Sequence, residues 1–66
     1  MLTYKYSGYL TIINDDKTLT TEDLYFELFN PRVITRNEVK ELALEKLSLS
    51  YKIYGVDSVS YAMTIA

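Results

Sequence analysis

The sequence predicts a small α+β domain: a three-stranded antiparallel sheet connected β-β-α-β in the strand order 2-1-3, with one helix packed on one face. Three observations predict it. The first dozen residues alternate apolar and polar, the period-two mark of a half-buried strand. Thr35-Arg36-Asn37-Glu38 is a capping box that opens an amphipathic run. The final stretch from Asp57 alternates again, with Val59, Tyr61, Met63 and Ile65 on one side.

In the first strand Leu2, Tyr4, Tyr6, Gly8, Leu10 and Ile12 share one face, and Thr3, Lys5, Ser7 and Thr11 share the other, with Tyr9 the exception. Gly8 inside the pattern signals a bulge or a close backbone approach, and a bulge would swing Tyr9 toward the core. Asn14-Asp15-Asp16-Lys17 is a turn, because Asn and Asp accept local backbone hydrogen bonds.

Residues 18–29 support two readings. As a strand they put Leu24, Phe26 and Leu28 on one face and Tyr25, Glu27 and Phe29 on the other. As a helix they put Leu24, Tyr25, Leu28 and Phe29 in a stripe, with Thr20 and Asp23 as a cap. The aromatic content and the preceding turn favour the strand. Asn30-Pro31 closes the element, since the residue before Pro avoids helical dihedrals.

The helix opens at Thr35, with Val39, Leu42, Ala43, Leu47, Ile53 and Tyr54 on its apolar face and Gly55 where a left-handed terminal residue is wanted. An earlier stop near Leu49 is the alternative, because Ser48 to Tyr54 is a weaker helix former. Hairpin geometry and the right-handed crossover then put the first strand at the centre of the sheet.

Sixty-six residues make one domain, spanning 1–66, with a thin stability margin of roughly 3–5 kcal/mol. Cys and His are both absent. That removes disulfides, thiolate zinc sites and the commonest general base. The two glycines form no phosphate loop. The expectation is a protein that is not an enzyme and takes no cofactor and no metal. No apolar run approaches the ~20 residues of a membrane span and no signal-peptide layout is present, so the expected location is cytoplasmic.

The charge is −2, too balanced to argue for nucleic acid or membrane. Its distribution is uneven. Asp15, Asp16, Glu22, Asp23 and Glu27 gather in one stretch, while Arg32, Arg36, Lys40, Lys46 and Lys52 lie beyond it. Seven tyrosines are too many for so small a core, and tyrosine is enriched at interfaces. Tyr4, Tyr6, Tyr54 and Tyr61 are expected in the core or at its rim. Tyr9 and Tyr25 are expected on the open face of the sheet.

These features point to a small protein-binding module, homodimeric or with an obligate partner. Its contact residues would be Tyr9, Asp15, Asp16, Glu22, Asp23, Tyr25 and Glu27. The acidic hairpin end would suit a partner with a basic groove, as in a phage or mobile-element inhibitor of a host enzyme. One alternative is a nucleic-acid-binding domain using Arg32, Arg36 and Lys40. Another is a structural subunit that only self-associates.

Overall fold

The computed structural model describes residues 2–14 and 17–66. Three strands, β1 (Tyr4–Ile13), β2 (Thr21–Asn30) and β3 (Gly55–Ile65), and one helix, α1 (Arg36–Leu47), follow in the order β-β-α-β. The sheet order is β2-β1-β3 with both pairings antiparallel. This is the expected α+β architecture, and residues 21–30 are strand.

The two faces follow from register. Leu10 lies between Leu24 and Val59, and Gly8 between Phe26 and Tyr61. These even positions of β1 face the helix. The core is Tyr6, Leu10, Ile12, Leu24, Phe26, Ile34, Val39, Ala43, Leu47 and Val59, with Tyr4, Leu28, Leu44, Ile53, Val56 and Tyr61 packed around it. The helix leans on β2 and β1, and its side chains reach both outer strands: Arg36, its first residue, reaches the β3 carbonyl of Val59, and Lys46, near its end, reaches the β2 carbonyl of Glu27.

Gly8 answers to the second of its two readings. The register runs unbroken through it, so no bulge forms there and Tyr9 stays on the open face. A Cβ at residue 8 would lie 2.6 Å from the Tyr61 Cα and overlap the Ser60 carbonyl. Only glycine lets the two backbones pass this closely. The register shift falls instead between Thr11 and Ile12 opposite β3: Thr11 pairs with Ser58 and Ile12 with Val56. Asp57 is the extra residue, so it leaves the alternating set in which Val59, Tyr61, Met63 and Ile65 stand. The shift brings Val56 over Ile12, keeping an apolar side chain on the core face.

The helix is shorter than its longest reading. The capping box forms, with Thr35 Oγ1 accepting the Glu38 N–H at 3.2 Å and the Thr35 N–H reaching Glu38 Oε1 at 3.5 Å. The helix then stops at Leu47, where the Ser48 hydroxyl donates back to the Leu44 carbonyl at 2.6 Å. Gly55 is therefore no helix cap; it begins β3, and its φ is not positive. The buried stripe is Val39, Ala43 and Leu47, with Leu44 beside it. Leu42 turns outward, and Tyr54, beyond the helix, is 59% exposed rather than at the core rim.

One hydroxyl ties the β2–α1 connection to the sheet. Tyr6 is 1% exposed. Its Oη accepts the Ile34 N–H at 2.9 Å and donates to the Arg32 carbonyl at 3.3 Å. The segment after Pro31 lacks a ladder of its own, and this phenol supplies the partner a buried amide requires. Among the described residues no helix is long and apolar enough to cross a membrane.

Candidate functional site

Among the described residues nothing covers the face of the sheet opposite α1. Along β2 it carries Asp23, Tyr25, Glu27 and Phe29; along β1, Thr11, Tyr9, Ser7 and Lys5; along β3, Ser58, Ser60, Ala62 and Thr64. Strand alternation dictates this set, since residues two apart share a face.

Its centre is an aromatic pair. Tyr9 and Tyr25 are direct cross-strand partners with ring centroids 5.5 Å apart at 67°, an edge-to-face contact. Such a pair holds both rings in place. Each ring nonetheless remains about half exposed, at 52% and 53%, and Phe29 on the same strand is 60% exposed. Tyr9 and Tyr25 form an aromatic ridge across β1 and β2, with Phe29 further along β2 beyond Glu27, while the β3 side is a shelf of small side chains.

Polar groups flank the tyrosine pair on both sides along the strands. The Tyr25 hydroxyl donates to Glu27 Oε2 at 3.1 Å, and Lys5 Nζ meets the same oxygen at 2.8 Å. The Lys5 ammonium, through its hydrogen bond and charge, and the Tyr25 hydroxyl hold the Glu27 carboxyl below its ordinary pKa. Lys5 is correspondingly raised. Toward the hairpin end, Thr11 Oγ1 donates to Asp23 Oδ1 at 2.6 Å across the strands.

Of the seven residues singled out from sequence, Tyr9, Asp23, Tyr25 and Glu27 come together on this face. Glu22 pairs with Ile12, a core-face position, so it sits on the helix side of the sheet and is exposed there. Asp15 and Asp16 lie outside the described residues. The acids therefore do not form one cluster: Glu27 sits mid-strand and is charge-paired, while Glu22 and Asp23 diverge.

Leu19, which pattern reading passed over, stands beside the hairpin turn with φ of 53° and 65% exposure. Nothing in its side chain announces a left-handed backbone, which Gly or Asn adopts far more readily. Of the three cations considered for nucleic acid, Arg36 is engaged with the Val59 carbonyl and stands 5.8 Å from the Tyr61 ring centroid.

Fold and face together define a small α+β domain with an open-faced antiparallel sheet and an aromatic ridge at its centre. No family model, curated protein or solved structure matches the chain.

Proposed function

We propose that the chain is a non-catalytic protein-binding module whose open sheet face docks on a larger protein. The observation that carries the reading is the Tyr9–Tyr25 pair, set edge to face yet half exposed, with Phe29 exposed on the same sheet face. Rigid aromatic side chains give much contact area at little entropic cost, and they dominate binding hot spots. Asp23, beside Tyr25 on the same face, suits a partner with a basic group next to its apolar seat, and that complementarity speeds encounter.

The test is capture of partners from the native cell by the tagged protein, alongside a Tyr9→Ser/Tyr25→Ser variant shown to be folded by circular dichroism. The reading expects a specific protein held by the parent, its affinity for the variant falling at least ~10-fold, as hot-spot loss implies. Equal affinity for the two would overturn it. Reversing Asp23 to Lys should slow association and weaken its salt dependence.

A further inference from the structure

The two edges of the sheet are finished differently. In a strand, the N–H and C=O of successive residues point alternately to the two sides. The Asn14 N–H reaches the Thr20 carbonyl, and the Ala66 N–H reaches the Thr3 carbonyl. Even residues of both outer strands therefore bond to β1, outside the irregular start of β3. Odd residues point away from the sheet: Thr21, Asp23, Tyr25, Glu27 and Phe29 on β2, and Val59, Tyr61, Met63 and Ile65 on β3. The contacts from α1 agree, since Lys46 takes the carbonyl of Glu27 and Arg36 that of Val59.

Edge β2 is defended. It carries Glu22, Asp23 and Glu27, and Lys46 sits on it. Two copies joined there would set acid against acid. Edge β3 beyond Val59 is not. Residues 58–66 contain no charged side chain, and no described residue bonds the outward groups of Tyr61, Met63 and Ile65. The side chains of these residues lie on the helix-side face; Arg36 of α1 reaches Tyr61, and Met63 and Ile65 lie beyond it. Met63 is 44% and Ile65 60% exposed. Leu2, close to Tyr4, is 55% exposed, and Tyr4 itself pairs with Ile65. An uncharged apolar edge of this kind is a template for another strand.

We propose that two copies of this chain associate through β3, antiparallel about a two-fold axis at Met63, to make one continuous six-stranded sheet. Tyr61 then pairs with the partner's Ile65, Met63 with the partner's Met63, and Ile65 with the partner's Tyr61, giving about six backbone hydrogen bonds. The axis is perpendicular to the sheet, so both helices stay on one side. The Met63, Ile65 and Tyr4 side chains of the two copies then meet in one apolar patch, an isologous contact. The pairing lies beyond Val59 and leaves the Arg36 contact in place. It also leaves both open faces free, so it is independent of the docking reading above.

Sedimentation velocity from about 1 μM to about 1 mM brackets the affinity such a contact supports. The expected result is a mass rising with concentration from 7.7 kDa toward twice that value. Met63→Lys should raise the concentration of half-dimerisation at least tenfold. Met63→Pro should do the same, because it removes an outward N–H that β1 does not use. Tyr25→Ser should leave the equilibrium unchanged. In the parent protein, amide exchange at Tyr61, Met63 and Ile65 should slow as concentration rises, a readout that requires no variant to fold. A constant 7.7 kDa mass, a dimer indifferent to Met63→Lys, a dimer dissolved by Tyr25→Ser, or exchange at these amides that ignores concentration would each overturn the proposal. None of those results bears on partner capture by the tyrosine ridge.

Discussion

Replacing Tyr6 by Phe isolates one interaction with little change in packing. The ring remains, filling the same space among Leu28, Ile34 and Tyr61, and only the oxygen goes. That oxygen accepts the Ile34 N–H at 2.9 Å, and Ile34 is 9% exposed, so the amide is left in an apolar setting without a partner. The Arg32 carbonyl, at 3.3 Å, loses a longer and weaker bond. The orphaned amide is thus the larger loss, and it costs about 1–3 kcal/mol. In a domain this small 1 kcal/mol moves Tm by roughly 4–8 °C, so a central loss of about 2 kcal/mol lowers it by some ~8–16 °C. Thermal and urea unfolding followed by far-ultraviolet circular dichroism measure this directly. Tyr9→Phe is the control, since the Tyr9 hydroxyl bonds no described residue. It should change stability by less than ~0.5 kcal/mol, as surface substitutions do. A Tyr6→Phe loss no larger than that of Tyr9→Phe would refute the reasoning and show that the Ile34 amide is satisfied without the phenol.

Gly8→Ala should be more damaging, because its methyl meets two backbone positions of β3 rather than a side chain that can move aside; a cost of about 3 kcal/mol would leave much of the chain unfolded, visible as loss of amide dispersion in NMR. Thr35→Ala removes the oxygen that caps the Glu38 amide and should cost about 1 kcal/mol in urea unfolding. Leu19→Gly releases a left-handed backbone at φ 53° and should raise stability by about 1 kcal/mol. The Lys5–Glu27 pair gives a sign that carboxyl NMR can check. Glu27 titrates lower in the folded chain than in the unfolded one, so its contribution is present above the ordinary carboxylate pKa and fades as pH falls through the depressed value. Lys5, raised above 10.5, contributes below that value and loses its share as pH rises through its folded pKa. Lys5→Met should return Glu27 toward its ordinary titration, with the Tyr25 hydroxyl keeping a residual depression; an unmoved midpoint contradicts the assignment.

The elements with a complete local signal were legible in the sequence. Alternation from Leu2 to Ile12 and the Thr35–Glu38 box each state a periodicity and a boundary, and strand order followed from hairpin and crossover geometry. Tyr9 and Tyr25 belong to the open face because odd positions there have no other place. What escaped was set by tertiary contact. Ile53 and Tyr54 fall at helical spacing from Val39 and Leu47, yet the helix ends at Leu47, where Ser48 turns its hydroxyl back onto Leu44. Gly8 announced an irregularity, but whether it serves a bulge or a close approach depends on Ser60 and Tyr61, far along the chain. The extra residue at Asp57 is visible only against the register of Thr11 and Ile12. Glu22 and Asp23 are neighbours in sequence and read as one acidic patch, whereas strand alternation sends them to opposite faces.

The short reach of α1 explains why stability and contact surface are separated in so small a chain. A helix of 12 residues is about 18 Å long at 1.5 Å per residue, against about 33 Å for a ten-residue strand. It cannot cover the sheet and must choose a portion. Resting on β2 and β1, it seals Leu10, Leu24, Phe26 and Val59 beneath Val39, Ala43 and Leu47, and its Arg36 and Lys46 side chains place a cation on each edge. What lies beyond that reach, Met63 and Ile65 with Tyr4 and Leu2, is apolar surface on strands whose middle is already held by the core. The opposite face, ridge and shelf together, never meets the helix. Substitutions there should therefore change binding with little effect on folding, while substitutions under the helix should change folding first.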